Sequence, residues 1–139
     1  MEYQIFGFLI GKDVRLDIDS RRLYRISSYG TERDFIFGTI IFSETMMQLF
    51  LYLLINARNK KVTKEELMKK IWEDNNLSAS PQRLWQVLTA LNIKLASLGL
   101  DENFIFNTKG QGYQVRHYDV IPLYCEKNRD VSAGLIYTS

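Results

Sequence analysis

The chain has 139 residues, a formal net charge of +2 and a hydrophobic fraction of 46%. This length suits one domain with its own core, and the small charge means that nucleic-acid binding must be judged from where the cations gather. A single cysteine, Cys125, excludes an internal disulfide framework, and a single histidine, His117, argues against a histidine-based metal site or triad. We therefore expect a reduced, cytoplasmic protein without a metal or cofactor.

The N-terminal residues 1–42 alternate between apolar and polar types and are rich in β-branched and aromatic side chains. Polar breaks at residues 19–20 and 29–31 divide them into candidate strands. They predict an antiparallel sheet of up to four strands, over residues 3–10, 14–18, 22–26 and 35–41.

Three helices are predicted over residues 43–99. Ser43 is a good N-cap for a helix that runs to about residue 58, and its wide apolar face indicates the central helix of the core. Thr63 and Glu66 form a capping-box pattern, so that a second helix begins at Lys64.

The third helix begins at Ser80, an N-cap residue, followed by Pro81 at the first helical position, and runs to Leu98. Leucines at spacings of four, three, four and three lie on one stripe, which we expect to face the core. They are Leu84, Leu88, Leu91, Leu95 and Leu98.

The opposite side of this helix is polar but nearly uncharged, with Gln82, Gln86 and Thr89 flanked by Arg83 and Ala90. Glutamine can bond to adenine N6 and N7 together, and a threonine methyl can meet the thymine methyl. Arg83 suits a guanine or a phosphate. A polar helix face can also be merely solvated. A β-hairpin wing after this helix favours a DNA-reading face over a solvated one.

Two apolar residues of the third helix fall outside the leucine stripe. We expect Trp85 to pack against the second helix rather than to face DNA or a partner. Ile93 points outward on the helical wheel and is expected to be covered by the hairpin or the sheet, or otherwise to contact a partner.

Gly99 is a left-handed helix stop, after which residues 103–116 predict a β-hairpin with its turn at Lys109–Gly112. Lys109 in this turn and Lys64 at the start of the second helix can each meet a phosphate. The domain is expected to end at residue 118. Residues 119–139 are predicted to be a partly flexible C-terminal extension, with a short strand that stops at Pro122.

The order of these elements resembles the winged helix-turn-helix effector domain of the OmpR/PhoB family, an α+β fold. The resemblance is carried by the run from Val62 to Leu67 with Ile71-Trp72, by Leu91-Asn92-Ile93-Lys94-Leu95, and by the run from Thr108 to Tyr113. In layout the chain is most similar to the ToxR/CadC-like branch, which carries the winged helix at its N-terminus with no receiver domain ahead. Asn92 replaces the family's usual arginine.

The resemblance implies a sequence-specific transcription regulator that is not an enzyme, with the third helix in the major groove and the wing on the adjacent backbone or minor groove. The predicted DNA-binding residues are Lys64, Ser80, Gln82, Arg83, Gln86, Thr89, Ala90, Asn92, Lys94, Thr108, Lys109 and Gln111. The alternative is a winged-helix module that binds a protein, such as RNA polymerase or a partner regulator.

The expected partners are double-stranded DNA, a second copy of the chain on that DNA, and RNA polymerase. Members of the ToxR/CadC-like branch often continue into a membrane helix. The resemblance therefore implies a cytoplasmic protein, or the cytoplasmic part of an inner-membrane regulator.

Overall fold

The structure, a computed structural model, describes residues 2–28, 35–116 and 119–127, without the side chains of residues 26–28 and 35–37. Within these ranges four strands precede three helices, and three further strands follow. The predicted break at residues 29–31 and the tail from residue 128 lie outside the described residues.

The N-terminal strands form an antiparallel sheet, and the sequence places them almost where they are found. They are β1 (Tyr3–Ile10), β2 (Val14–Asp17), β3 (Arg22–Ser28) and β4 (Phe35–Ile41). Each pairs with the next along the chain. Their buried alternate residues, such as Phe8, Leu16 and Leu23, form one wall of the core.

The four strands predicted for the N-terminal residues are confirmed, and a fifth strand joins their sheet from the C-terminal side. It is called β7 (Val120–Glu126) here, because two short strands precede it, and it pairs antiparallel with β1 at the edge of the sheet. The prediction that the strand stops at Pro122 is wrong, because Pro122 lies in register opposite Phe8. An edge strand tolerates proline, since only one of its sides has to pair.

Helix α1 (Glu44–Asn56) is the central core helix. The Ser43 hydroxyl accepts the Met46 N–H at 3.2 Å, as predicted for its N-cap. Phe50 is fully buried and packs edge-on against Phe42 and Phe104, with ring centroids 5.8 and 6.2 Å apart. These rings join the end of the sheet, α1 and the segment after the third helix in one core.

Helix α2 (Lys64–Leu67) continues through a π-helical turn (Met68–Trp72) and a 3₁₀ turn (Glu73–Asn75). The Thr63 hydroxyl accepts the Glu66 N–H at 3.1 Å, which is one half of the predicted capping box. The Glu66 carboxylate accepts a hydrogen bond from the Tyr52 hydroxyl of α1. Burial, aided by Glu66, raises the pKa of Tyr52 to about 12. This bond ties α2 to α1.

Helix α3 (Pro81–Ser97) is held at both ends. Ser80 caps it by accepting the Arg83 N–H at 3.0 Å. At the other end Arg25 Nη1 of β3 donates to the Leu98 carbonyl at 2.7 Å, and Gly99 turns with a φ of +89°. The positive φ favours glycine here, and a Cβ at this position would lie 2.1 Å from Arg25 Nη1 and displace the guanidinium.

The leucine stripe of α3 faces the core as predicted, and all five leucines are buried. Ile93 belongs to the same helix but lies on the opposite side, where it is 66% exposed. The two sides of one helix therefore offer a matched test of the packing.

We expect Leu91→Ala to lower the free energy of unfolding by roughly 2–5 kcal/mol, because it leaves a cavity in a close-packed core. The matched change Ile93→Ala should alter it by no more than about 0.5 kcal/mol. Urea denaturation followed by circular dichroism measures both. Equal losses would mean that the stripe does not face the core.

Candidate nucleic-acid interface

The outward face of α3, defined here as Gln82, Gln86 and Ile93, lies opposite the leucine stripe. Both glutamines are exposed, and Thr89, half-buried, lies at the edge of this face. Helix α3 contains no aspartate or glutamate. The face can therefore approach a polyanion without carboxylate repulsion from its own helix.

Two edges flank the outward face, because residues three or four apart share a side of a helix. One edge carries Arg83, exposed, with Ala90 and Lys94, both half-buried. The other carries Trp85 and Asn92 and borders the hairpin. The cations of α3 thus lie on the side away from the hairpin.

The predicted wing is present as the strands β5 (Ile105–Asn107) and β6 (Tyr113–Val115), which pair antiparallel. It is anchored to the helical part of the domain by backbone hydrogen bonds. Val62 N–H donates to the Tyr113 carbonyl at 2.9 Å, and Tyr113 N–H donates back at 2.7 Å. Val115 N–H donates to the Ala57 carbonyl at 3.0 Å.

The wing turn presents Lys109 in the left-handed region, with a φ of +48°. Two hydrogen bonds close the turn. The Gly110 N–H donates to Asn107 Oδ1 at 3.1 Å, and the Gln111 N–H donates to the Thr108 carbonyl at 2.8 Å. Lys109 is exposed at its tip. The chain therefore supplies a positive charge on a short, hydrogen-bonded loop.

A groove separates the wing turn from the start of α2, and Lys64 and Gln111 both line it. Lys61 Nζ donates to Gln111 Oε1 at 2.6 Å across this groove. Lys61 is absent from the predicted set, although the basic run Lys60-Lys61 next to Lys64 could have indicated it. Glu65 lines the same groove and offsets part of the positive charge.

The positive charges of the remaining lysines of the α2 segment, Lys69 and Lys70, are partly neutralised by the carboxylate of Asp74. Lys69 Nζ lies 2.9 Å and Lys70 Nζ 3.9 Å from the Asp74 carboxylate. The hydrogen bond with Lys69 lowers the pKa of Asp74, and the same bond raises the pKa of Lys69. Lys61, Lys64 and Lys109 therefore supply the positive charge where the wing turn meets α2.

A second groove, of about 420 Å³, lies between α3 and the wing. Trp85 lines it and remains 62% exposed, so the expectation that it packs against α2 is wrong. The helical wheel turns Trp85 toward the wing, and the groove there is too open to cover a ring of this size. Across the groove the Arg116 guanidinium lies 4.6 Å from the centre of the Phe106 ring.

Residues 39–115 match a protein family described as transcriptional regulatory protein, C terminal, over more than half of the chain. The chain belongs to this family. It is a DNA-binding domain of a transcription regulator, with the winged helix of the OmpR/PhoB type. The α+β fold class that the sequence predicts is confirmed.

Solved structures show the same fold. The DNA-binding domain of E. coli CadC superposes with a TM-score of 0.64 at 14% identity, covering 88% of this chain and all of that one. The C-terminal domain of the nisin resistance regulator NsrR, a lantibiotic response regulator, gives 0.54 at 23% identity, covering 85% and 100%. No curated protein matches the sequence significantly.

Over the described part of the winged-helix domain, no helix has the length and apolar character needed to cross a membrane. Within the same residues, no cluster of histidine, cysteine, aspartate or glutamate side chains is arranged to hold a metal ion.

The residues predicted to bind DNA fall mainly into two places. Most lie on the outward side and flanks of α3, and a second group lies where the wing turn meets α2. Ser80 and Thr108 already have hydrogen-bond partners within the domain. The Ser80 hydroxyl accepts the Arg83 N–H at the start of α3, and the Thr108 hydroxyl lies 3.3 Å from Gln114 Oε1. Their contacts with DNA stay predictions.

Asn92 also has partners inside the domain. Its Nδ2 donates to the Ile105 carbonyl at 2.9 Å, and its Oδ1 accepts the Ile105 N–H at 3.1 Å. A side-chain amide can serve both groups of one residue, because it carries a donor and an acceptor. Asn92 thus binds the first strand of the wing to α3, and its predicted contact with DNA stays untested.

We expect Asn92→Ala to lower the free energy of unfolding by about 1–3 kcal/mol, since two buried backbone groups of Ile105 lose their partner. Hydrogen exchange of the Ile105 amide should accelerate in the same variant. Gln82→Ala, an exposed change on the same helix, is the control and should alter neither quantity. An unchanged exchange rate at Ile105 would contradict this role for Asn92.

Proposed function

We propose that this domain binds double-stranded DNA sequence-specifically, with the outward face of α3 in the major groove and the wing on the adjacent backbone or minor groove. The observation that carries the proposal is the position of Gln82 and Gln86, exposed on a helix without carboxylates. A wing with an exposed lysine lies beside that helix.

The side chains of this face match base edges. Gln86 and Gln82 suit adenine, which offers N7 as acceptor and N6 as donor, and Arg83 suits guanine or a phosphate. The half-buried Thr89 and Ala90 offer methyl groups to thymine. Base contacts from α3 would supply the sequence preference.

Lysines near the wing would supply contacts with the phosphates. If Lys61, Lys64, Lys109 and Arg83 reach phosphates, with up to two other cations, about four to six counterions are released, and the logarithmic salt slope is roughly −3.6 to −5.4. One copy with so few cations binds weakly. We therefore infer that two copies occupy repeated half-sites.

A protein-binding role is the second candidate, because Trp85 and Ile93 are large, apolar and exposed on α3. Exposed aromatic anchors are common at protein interfaces. RNA polymerase or a partner regulator would then contact this side of the domain. Enrichment of duplexes from random DNA, repeated at two salt concentrations, separates the candidates, because only a DNA reader returns a common sequence.

We expect Gln86→Ala and Arg83→Ala each to weaken binding to the preferred duplex by roughly 1–3 kcal/mol while leaving unfolding unchanged. Each change removes one contact with a base edge or, for Arg83, a phosphate. Fluorescence anisotropy titration measures the affinity. Gln4→Ala, an exposed glutamine in β1, is the matched control. Wild-type affinity in the Gln86 variant would contradict the proposal that α3 contacts the base edges.

Lys109→Ala should weaken binding to preferred and unrelated duplexes by the same factor and reduce the salt slope by about one, because a phosphate contact carries no sequence information. Lys127→Ala removes an equal charge just after β7 and is the control. Titrations at several salt concentrations give the slope. A loss restricted to one sequence would instead make Lys109 a base reader.

A further inference from the structure

Trp85, Thr89 and Ile93 form a line that runs along α3 from its hairpin edge to its outward face; it is called the apolar line below, because Thr89 contributes a methyl group between the two large apolar side chains. They are four residues apart, so they lie on neighbouring turns of the same side. Trp85 is 62% and Ile93 66% exposed, and Thr89 is half-buried between them. Exposure of two large apolar side chains leaves apolar surface in water, and contacts from the polar groups alone would not cover it.

The spacing of this line suits a run of bases. Eight residues at 1.5 Å span about 12 Å along the helix axis. Successive base pairs of one DNA strand are about 3.4 Å apart, so the line covers roughly three to four steps. In the major groove the apolar feature of a base edge is the C5-methyl group of thymine.

The charges of α3 favour a nucleic acid over an apolar protein surface here. The helix carries Arg83 and Lys94 and no carboxylate. Lys61 and Lys64 lie at the start of α2, and Lys109 lies in the wing turn. Glu102 lines a pocket with Thr89 and Ile93, so the one carboxylate next to the line lies near its C-terminal end among the described residues of that pocket.

We propose that the apolar line reads the 5-methyl groups of thymines in the major groove, so that the preferred site contains a cluster of thymines. The inference rests on the proposed function and specifies its substrate. Arginine and lysine are the usual readers of guanine, and the outward face itself carries neither. Contacts with thymine methyl groups then add to the discrimination that Gln82, Gln86 and Arg83 would supply.

The test uses the preferred duplex in two forms, with thymine or with deoxyuridine throughout the site. Deoxyuridine lacks the methyl group but keeps the O4 acceptor and the base pairing. Removing each buried methyl group should weaken binding about fourfold, and two or more contacts should give a loss of roughly tenfold or greater. Affinity is measured by anisotropy on the whole 139-residue chain.

Variants connect this loss to the named residues. In Trp85→Ala and Ile93→Ala the ratio of affinities for thymine and deoxyuridine duplexes should fall toward one. Ile55→Ala is the matched control, because Ile55 is a 49% exposed isoleucine on α1. It should keep the full ratio. Urea denaturation establishes that each variant remains folded.

Equal affinity for the two duplexes, with sequence-specific binding retained, would overturn the inference and leave the proposed function standing. A Trp85 variant that loses the same factor on both duplexes would also overturn it, because its contact would then lie on sugar or phosphate. If no duplex is enriched over unrelated DNA, the proposed function itself fails. The enrichment from random DNA tests the proposed function, and the titrations with thymine and deoxyuridine duplexes test the inference.

Discussion

Burial of the α3 leucine stripe is the constraint on which the interface depends. Five leucines enter the core between the sheet, α1 and the Phe104 segment, and each contributes about 1.5–3 kcal/mol relative to exposure. A helix rotated by one residue would turn by about 100° and expose part of this stripe. Packing of the leucines in the core therefore sets the direction in which Gln82 and Gln86 point, from the opposite side of the helix.

Contacts at the two ends of α3 fix its position along its axis, and contacts with the wing fix the position of the wing beside it. Ser80 sets where the helix begins, and Arg25 of the sheet holds the Leu98 carbonyl where it ends. Asn92 joins the wing to the helix, and Val62 joins it to the segment before α2. A ligand that contacts both α3 and the wing thus meets a surface assembled before binding, which lowers the ordering cost of association.

Local signals in the sequence were sufficient for most of this fold. Alternation placed the first four strands, and the caps at Ser43, Thr63 and Ser80 placed the helix starts, because these signals act within a few residues. The pairing of β7 with β1 joins residues more than one hundred positions apart, and its edge position explains why Pro122 is tolerated. No local pattern contains that information.

The same distinction applies to the candidate site. Helical periodicity correctly sent the glutamines outward, but the environment of Trp85 and Asn92 depends on where the wing lies. The wing leaves the indole of Trp85 in an open groove, whereas it supplies Ile105 as a partner for Asn92. The sequence predicted a packed tryptophan, which is wrong, and the resemblance implied a DNA contact for Asn92, which stays a prediction.

The departure from arginine at Asn92 has a consequence for how this domain could bind DNA. An arginine in a winged helix gains affinity from phosphate whatever the sequence, and that gain falls with salt. Here the corresponding side chain holds the wing in place, and α3 offers glutamine, threonine and exposed apolar groups instead. In the proposed function, such a surface would discriminate between base edges more than it would attract DNA in general. Strong occupancy would then require the lysines near the wing and a second copy, since two linked weak contacts bind far more tightly than one.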